Sequence, residues 1–388
     1  MKKTKTYLII IFLSVIFSLY FFESFLLIKE KVELSQKIQT YKKKTGKDFD
    51  ERTKVEVYQD LKKIDRNVTI SFNAWSKMFL NEKDIFPLSG LSKNKSIHCN
   101  ENGYYSIYLS DRYGFNNPDV EWDKKNLEYL VVGDSFVHGA CVNRPNDISS
   151  ILRSLSNNSA LNLGISGNGP LSEYATLREY IKPNSKKIIW IYYEGYDLQD
   201  LMFERNNFIL KKYLKDKNFT QDLKKNNKKK DEVVKRITNI ELERILEKYK
   251  DDSRLRYKIL KFIRLDKTKN SISFESTYSQ YIDDSIFNDF ETILKLSKEL
   301  AINNNSKFYF VYVPEYYRYT KKYNNDNYNK ILDITKKLDI PLIDLKEEVF
   351  DKEKDPLKYF PFGSGGHFTV EGYSKITETI YEKLISSK

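Results

Sequence analysis

The sequence predicts an α/β fold in which helices cover both faces of a parallel sheet. Hydrophobic runs of strand length alternate with segments whose apolar residues have helical spacing, and polar or glycine-containing turns follow several of these strands. A strand-helix-strand order favours parallel strands, because each helix returns the chain to the same edge of the sheet. The 388 residues, 40% of them hydrophobic, are enough to bury a large core and exclude a disordered chain.

Three buried-strand patterns begin this region, at 127–132, 160–165 and 187–193. Asp147 suits the N-cap of a helix over 147–155, and Pro170 suits the first turn of a helix over 171–181. Residues 198–300 interrupt the alternation, since they are Lys-rich and mostly helical, and they predict a helical insertion. The sheet pattern resumes with elements that complete the α/β order: a strand at 307–313, a helix at 327–338, a strand at 341–345 and a final helix at 370–385.

The N-terminal segment predicts a membrane anchor. Residues 7–22 (YLIIIFLSVIFSLYFF) carry no charge, and the apolar pattern resumes at 25–28. As a helix this stretch would span ~33 Å, enough for a bilayer core. No small-x-small cleavage site follows, so we expect an uncleaved anchor over 1–28 rather than a cleaved signal peptide. A charged stalk over 29–66 would join it to an α/β domain over 67–388, and lysines on both sides of the anchor leave its orientation open.

Composition limits the classes of partner and cofactor. The formal net charge is +12, but the basic residues mostly lie beside acidic ones, and the run at 224–230 (KKNNKKK) is typical of a solvated loop. We therefore expect no nucleic-acid partner. Two Cys and three His leave few ligands for structural zinc, and nothing in the sequence indicates a metal or another cofactor.

Functional groups of such a sheet gather in the loops after its strands. Ser135 directly follows a strand and a Gly-Asp turn, which is a position suited to a nucleophile. A nucleophilic serine needs a base within hydrogen-bond reach and N–H donors for the oxyanion. His367 is the candidate base, because the glycines before it let its loop approach closely, and Gly167 could donate its N–H. Taken singly, each of these motifs also fits an ordinary turn or a surface histidine.

Four motifs resemble the conserved blocks of the SGNH/GDSL hydrolases and acyltransferases, over roughly 127–201 and 307–384. VVGDSFVHG resembles the first block and places the nucleophile at Ser135, with Asp134 in the same turn. NLGISGNGP resembles the second and places the oxyanion donor at Gly167, with Asn168 beside it in the pocket. The resemblance implies a flavodoxin-like three-layer parallel sheet and the hydrolysis or transfer of an acyl ester by a serine.

The other two blocks depart from the family pattern. The third is G-x-N-D in the family and reads Gly-Tyr-Asp here, so Tyr196 and Asp197 are the pocket candidates and Tyr196 replaces the oxyanion Asn. Losing one oxyanion donor costs about 10²–10³ in rate. The fourth is D-x-x-H in the family and reads Ser-Gly-Gly-His here, so Ser364 replaces the triad acid. Asp355 or Glu194 could supply that acid instead.

The phrases DRYGFNNPD, GDSFVHGACV and YYEGYDLQDL resemble the membrane-anchored members linked to bacterial cell-surface polysaccharide. This resemblance implies an esterase or O-acyltransferase that acts on acyl esters, chiefly acetyl, of a glycan. Its partners would be an acylated glycan or acyl donor, the membrane and polysaccharide-assembly proteins. Two alternatives stay open: a catalytically degenerate glycan-binding or scaffold protein, which the two departures favour, and a lipid-directed esterase, which the anchor and the basic insertion favour.

Two residue pairs have open roles. His98 and His138 are weaker candidates for the base. Cys99 and Cys141 could form a disulfide that ties the upstream segment beside Ser135, if the domain faces an oxidising compartment, or they could be two unpaired thiols. A disulfide would support an extracytoplasmic domain, at the cell surface or in the periplasm.

Overall fold

The computed structural model describes residues 2–74, 85–275 and 282–386, and the contacts of the chain divide it into two compact units. One unit comprises Met1–Glu51 and Glu243–Tyr281, and the other comprises Arg52–Leu242 and Ile282–Lys388. The predicted insertion over 198–300 is therefore shared between the two units, with its first part assigned to the larger one.

The elements are numbered in chain order. The strands are β1 (Val68–Ile70), β2 (Lys95–Ile97), β3 (Ile107–Leu109), β4 (Leu127–Gly133), β5 (Ala160–Asn162), β6 (Ser185–Tyr193), β7 (Lys307–Val313) and β8 (Leu342–Asp344). The helices are α1 (Lys2–Thr45), α2 (Lys54–Ile64), α3 (Ser135–His138), α4 (Ile148–Ser156), α5 (Pro170–Tyr180), α6 (Asp197–Glu204), α7 (Leu210–Lys215), α8 (Asn227–Ser253), α9 (Leu255–Ile263), α10 (Asp266–Glu275), α11 (Asp284–Asn303), α12 (Asp326–Lys337) and α13 (Val370–Ser386).

A five-stranded parallel sheet forms the centre of the larger unit, in the order β5-β4-β6-β7-β8. The middle strands are almost continuously apolar because both faces are covered: α5 and α11 pack on one face, and α4 and α13 on the other. The predicted parallel α/β sheet is confirmed. The strand expected over 160–165 ends earlier, at Asn162, because the side chain of Asn162 accepts a hydrogen bond from the Gly164 N–H and turns the chain out of the strand.

The end of the predicted insertion belongs to the sheet layers. Residues 284–303 form α11, which buries Phe290 and Ile293 in the core beside β7 and serves as the crossover helix from β6 to β7. The sequence pattern at 198–300 did not indicate where the insertion ends and α11 begins, since helix follows helix there without a strand between them. The N-cap of α4 is Asp147, as predicted, and its carboxylate accepts a hydrogen bond from the Ser150 N–H at 3.0 Å.

A small three-stranded sheet lies upstream of the main sheet in the same unit. β2 pairs in parallel with β1 and antiparallel with β3. Helix α2 precedes it and begins with a capping box between Thr53 and Glu56. The chain leaves β2 at Ile97 and runs through His98, Cys99 and Glu101 before it reaches β3.

The smaller unit contains α1, α9 and α10. Among the described residues, α1 is the helix long and apolar enough to cross a membrane, and its length and position fit both a membrane span and a signal sequence. The helix continues to Thr45, so the expected border between anchor and stalk at residue 28 is not a break in the helix. Glu23 interrupts the apolar run and accepts hydrogen bonds from the N–H groups of Lys267 and Thr268 at the start of α10.

Candidate active site

Ser135 lies in a tight turn between β4 and α3. Asp134 caps α3 by accepting a hydrogen bond from the Phe136 N–H at 2.8 Å, so that Ser135 becomes the first residue of the helix. Gly133 leaves no room for a side chain, because a Cβ there would lie 2.5 Å from the side chain of Val137 and 2.8 Å from the carbonyl oxygen of Ile191. Local packing therefore places the Ser135 hydroxyl at the carboxyl end of the sheet.

His367 lies in the loop before α13 and reaches this serine. Its Nε2 is 2.8 Å from the Ser135 Oγ, and its ring packs 5.1 Å from the ring of Phe136, measured between centroids. The structure thus brings together the predicted nucleophile and base at hydrogen-bond distance, although their sequence positions are 232 residues apart.

Glu101 holds the other side of the His367 ring. Its two carboxylate oxygens lie 3.0 and 3.1 Å from Nδ1, and one of them also accepts the His367 backbone N–H at 2.6 Å. Gly366 permits this approach, because a Cβ there would lie 2.7 Å from the same carboxylate. An acceptor at Nδ1 keeps the proton on that nitrogen and leaves Nε2 free to accept the serine proton.

Glu101 corrects the three predicted candidates for the orienting group. Ser364 donates its hydroxyl to the Pro361 carbonyl oxygen at 2.8 Å, and Glu194 forms an ion pair with Arg318. Asp355 begins a short turn over Pro356–Tyr359, and none of the three hydrogen-bonds with His367 in the described part of the chain. The predicted candidates lie at the family position of the acid (Ser364) or after β6 (Glu194 and Asp355), whereas Glu101 lies upstream of the main sheet.

The charge of Glu101 acts on the basicity of His367. Burial lowers the pKa of His367, but the negative charges of Glu101 and, less strongly, Asp134 oppose this effect, and the pKa lies above its ordinary value. A raised pKa suits a general base that must take a proton from a serine hydroxyl.

The loop after β5 carries Gly167, whose N–H is the predicted oxyanion donor. Gly167 has φ +77°, a conformation that favours glycine, and its N–H donates to no atom of the described residues. The loop is fixed on both sides of Gly167. The Asn168 N–H donates to the Ile165 carbonyl oxygen at 3.1 Å, and the Glu204 carboxylate accepts the N–H groups that begin α5, including that of Gly169 at 2.9 Å.

The remaining pocket candidates have different environments. Tyr196 is 53% exposed, its ring lies 6.0 Å from that of Tyr193, and its hydroxyl makes no hydrogen bond with a described residue. Asp197 is fully buried and accepts the Tyr193 N–H at 2.8 Å. Asn168 is fully buried next to Gly167. The rings of the two other histidines, His98 and His138, make no hydrogen bond with Ser135 or His367 in the described part of the chain; both lie against Ser166.

Asp134, Glu173 and Asp197 are buried carboxylates that lie close enough to influence one another. Burial raises the pKa of Asp134, although the nearby His367 opposes this shift. Burial also raises the pKa values of Glu173 and Asp197 well above their ordinary range, and the neighbouring carboxylates add to the effect. A strongly raised pKa favours the neutral forms of Glu173 and Asp197, so these two buried carboxyl groups do not both carry a full negative charge.

Cys99 and Cys141 form a disulfide, with Cα atoms 4.9 Å apart. Cys99 lies two residues before Glu101, and Cys141 lies on the turn after α3, where its Sγ is 3.9 Å from the Nδ1 of His367. The Asn102 side chain adds hydrogen bonds to the carbonyl oxygens of Cys141 and Phe368, at 3.1 and 3.2 Å. The segment that carries Glu101 is therefore attached to both the serine side and the histidine side of the site.

The sequence offered a disulfide that would bring Cys99 beside Ser135, with two unpaired thiols as the alternative, and it gave no indication of Glu101. The available signal was the short distance in sequence between Glu101 and a cysteine expected to pair next to Ser135. The donor atoms of Glu101, Cys141 and His367 lie within 4.8 Å of one another, a spacing that could hold a metal ion. The Cys141 sulfur is already bonded to Cys99, however, and the other two groups are hydrogen-bonded to each other.

No family model matches the chain. No curated protein matches it. Among solved structures, it is similar to a lipolytic protein of the G-D-S-L family from Desulfitobacterium hafniense, with 12% identity and a TM-score of 0.35 over 66% of this chain and 99% of that one. It is also similar to an acetyl xylan esterase, with 10% identity and a TM-score of 0.36 over the same shares. At these values the similarities carry no argument about activity, which has to be argued from the geometry of this chain's own site.

Proposed function

We propose that this protein is an SGNH-type serine esterase or O-acyltransferase. The observation that carries the proposal is the hydrogen-bonded series of Ser135, His367 and Glu101 at the carboxyl end of the sheet. A nucleophile, a base and a carboxylate that orients the base are the groups that acyl transfer through a covalent intermediate requires.

In the first half-reaction, the Ser135 Oγ attacks the ester carbonyl carbon while its proton passes to the Nε2 of His367. Glu101 stabilises the imidazolium that forms. The N–H groups of Gly167 and Ser135 would hold the negative carbonyl oxygen of the tetrahedral intermediate. When the intermediate collapses, His367 returns the proton to the leaving alkoxide, the carbon–oxygen bond to the alcohol breaks, and the acyl group stays on Ser135.

The second half-reaction repeats these steps with another acceptor. Attack of water on the acyl-serine gives a free acid and makes the protein an esterase. Attack of a sugar hydroxyl gives a new ester and makes it a transferase. In both cases His367 takes the proton of the attacking hydroxyl and gives it to the Oγ of Ser135 as that oxygen leaves.

The substrate we propose is an acyl ester, chiefly acetyl, of a cell-surface glycan, with the catalytic domain anchored by α1 outside the cytoplasm. The motif resemblance to membrane-anchored, polysaccharide-linked proteins supports this substrate. The Cys99–Cys141 disulfide supports an oxidising compartment. Glu101 weakens the case for a degenerate scaffold, because it fills the role that the replacement at Ser364 left open.

The direct test is labelling with a fluorophosphonate probe together with hydrolysis of nitrophenyl acetate. The full-length protein in detergent should be labelled at Ser135, and Ser135→Ala should abolish both labelling and hydrolysis. Ser364→Ala is the matched control: it removes a serine hydroxyl from the neighbouring loop that bonds only to Pro361, and it should keep both activities. A folded wild-type protein without labelling at Ser135 would contradict the proposal.

The chain length of the acyl group separates the glycan substrate from a lipid substrate. Nitrophenyl esters from acetyl to octanoyl should be hydrolysed with kcat/KM falling as the acyl chain lengthens, and acetylated polysaccharide should release acetate. A rise in kcat/KM with chain length would favour the lipid-directed esterase instead.

A further inference from the structure

Ser166, directly before Gly167, lies between two buried histidines. Its Oγ is 2.9 Å from the Nε2 of His98 and 3.2 Å from the Nδ1 of His138. The rings of His98 and His138 are stacked with centroids 4.5 Å apart. The chain has three histidines, so all of them lie within this site: one acts on Ser135, and the other two contact the residue beside the proposed oxyanion donor.

The hydrogen bonds assign a direction to this group. The Ser166 backbone N–H points at the Nδ1 of His138 at 3.4 Å, so that nitrogen is an acceptor. That nitrogen has a single lone pair, so the Ser166 N–H and hydroxyl share it, and the hydroxyl oxygen accepts the Nε2–H of His98. A single hydroxyl thus connects His98, at the end of β2, with His138, at the end of α3.

The surroundings of both histidines favour the neutral ring. Burial lowers the pKa of His98 well below its ordinary value, and His138, Lys54 and His367 act in the same direction. Burial lowers the pKa of His138 to about 3, with His367 adding to the effect. The described rings packed on His138 are those of His98 and Tyr108, and neither supplies a negative charge that would favour protonation.

The loop that carries Ser166 also fits closely against α3. A Cβ on Gly164 would lie 2.4 Å from the His138 backbone nitrogen, so the loop and the helix are in direct backbone contact. The Ser166 carbonyl oxygen accepts the Ala74 N–H at 2.8 Å. Ser166 is therefore held through its hydroxyl, its N–H and its carbonyl, and the next peptide, which bears the Gly167 N–H, has little freedom to move.

We propose that Ser166, His98 and His138 are positioning residues for the oxyanion-binding N–H of Gly167. This inference rests on the proposed esterase or acyltransferase function and extends it to the placement of one donor. A displacement of about 1 Å in a catalytic group can cost about 10²-fold in rate, so a loop held by two neutral histidines has a direct effect on turnover. A well-placed Gly167 N–H stabilises the ester carbonyl oxygen most strongly when that oxygen becomes an oxyanion.

The proposal can be tested by comparing Ser166→Ala with the wild type on two esters that differ only in the carbonyl atom, which is oxygen in one and sulfur in the other. A matched oxoester and thionoester differ in how strongly the developing anion accepts hydrogen bonds, since sulfur is the weaker acceptor. We expect Ser166→Ala to lower kcat/KM for the oxoester about 10- to 100-fold, with KM changed less than about twofold. For the thionoester, the decrease in kcat/KM should be at least fivefold smaller. The ratio of kcat/KM for the oxoester to kcat/KM for the thionoester should therefore fall.

Glu101→Gln is the control, because it weakens the base and should lower kcat/KM for both substrates by the same factor. An unchanged oxoester-to-thionoester ratio in Ser166→Ala would overturn the positioning role while leaving the proposed function intact. If the proposed function itself is wrong, the wild-type protein will show no ester hydrolysis that is abolished by Ser135→Ala.

A measurement independent of turnover uses the small number of histidines. In ¹⁵N-histidine-labelled protein, the rings of His98 and His138 should stay neutral well below the ordinary pKa of histidine, and Ser166→Ala should shift the ring ¹⁵N signals of both but not those of His367. Ring signals of His98 and His138 that match the wild type in Ser166→Ala, or that titrate near pH 6.5, would overturn the proposal whether or not the protein hydrolyses an ester.

Discussion

Ser135 and His367 come from the parallel α/β region, one after β4 and the other just before α13, whereas Glu101 comes from an irregular segment after β2. Sheet topology fixes the first two, because the ends of parallel strands and the loops around them meet at one edge. Glu101 has no such constraint. It is placed by a disulfide at Cys99 and by the side-chain hydrogen bonds of Asn102.

The comparison separates two ways of building one site. In the α/β region, close contacts at Gly133 and Gly164 make the positions of Ser135 and of the loop after β5 part of the core itself. In the upstream segment, a disulfide and a few polar contacts hold Glu101 in position. Changes upstream should therefore alter the chemistry of His367 with less damage to the fold than changes around the serine.

Glu101→Gln is expected to have the largest effect of the variants that probe this contrast. The amide keeps the shape of the side chain but removes the charge that stabilises the imidazolium of His367, so kcat for nitrophenyl acetate should fall about 10³-fold. Because the carboxylate raises the pKa of His367, its loss lowers that pKa, and the acid limb of the profile of kcat/KM against pH should move to lower pH.

Asp355→Asn is the matched control for that variant. It removes one of the two carboxylates, with Glu194, that the sequence offered as the acid, and Asp355 makes no hydrogen bond with His367 in the described residues, so the activity and pH profile should equal those of the wild type. If Asp355→Asn lost activity while Glu101→Gln kept it, the upstream segment would have no part in the chemistry, and the contrast between the two regions would fail.

Breaking the disulfide is expected to have a smaller effect, and it tests how the upstream segment is held. In the double variant Cys99→Ser/Cys141→Ser, the free energy of unfolding should fall by about 4 kcal/mol, the chain-entropy value for a loop closed over 42 residues. The activity should fall about 10-fold, because Glu101 keeps its hydrogen bonds to His367 but loses part of its support. Denaturant unfolding and nitrophenyl acetate hydrolysis measure the two effects.

A reducing agent distinguishes the disulfide from the serine substitutions themselves. Dithiothreitol should lower the wild-type activity to that of the double variant and leave the double variant unchanged. Equal wild-type activity before and after full reduction, confirmed by thiol counting, would mean that polar contacts, among them those of Asn102 and His367, hold Glu101 in place without the disulfide.

The sequence could predict the parts of the site that follow from periodic patterns. The five strands, the N-cap at Asp147 and the parallel sheet follow from buried-strand patterns, turn residues and caps. The contact between Ser135 and His367 was expected from strand ends and glycines. Glu101 could not be predicted in this way, because no local pattern records a hydrogen bond across 266 residues that depends on a distant covalent link. The division within residues 198–300 was hidden for a related reason, since helix borders the next helix without a change of pattern.

Tyr196→Phe should have the smallest effect, and it tests whether the α/β region supplies a second side-chain donor to the oxyanion. The Tyr196 hydroxyl makes no hydrogen bond with a described residue, and the side chain is 53% exposed beside Tyr193. Its removal should therefore leave kcat for nitrophenyl acetate within about twofold of the wild type. Loss of an oxyanion donor costs about 10²–10³-fold, so a decrease of that size would show that the hydroxyl turns inward when substrate binds. The α/β region would then provide a donor that its resting geometry does not reveal, and the support of the oxyanion would no longer depend on backbone N–H groups alone.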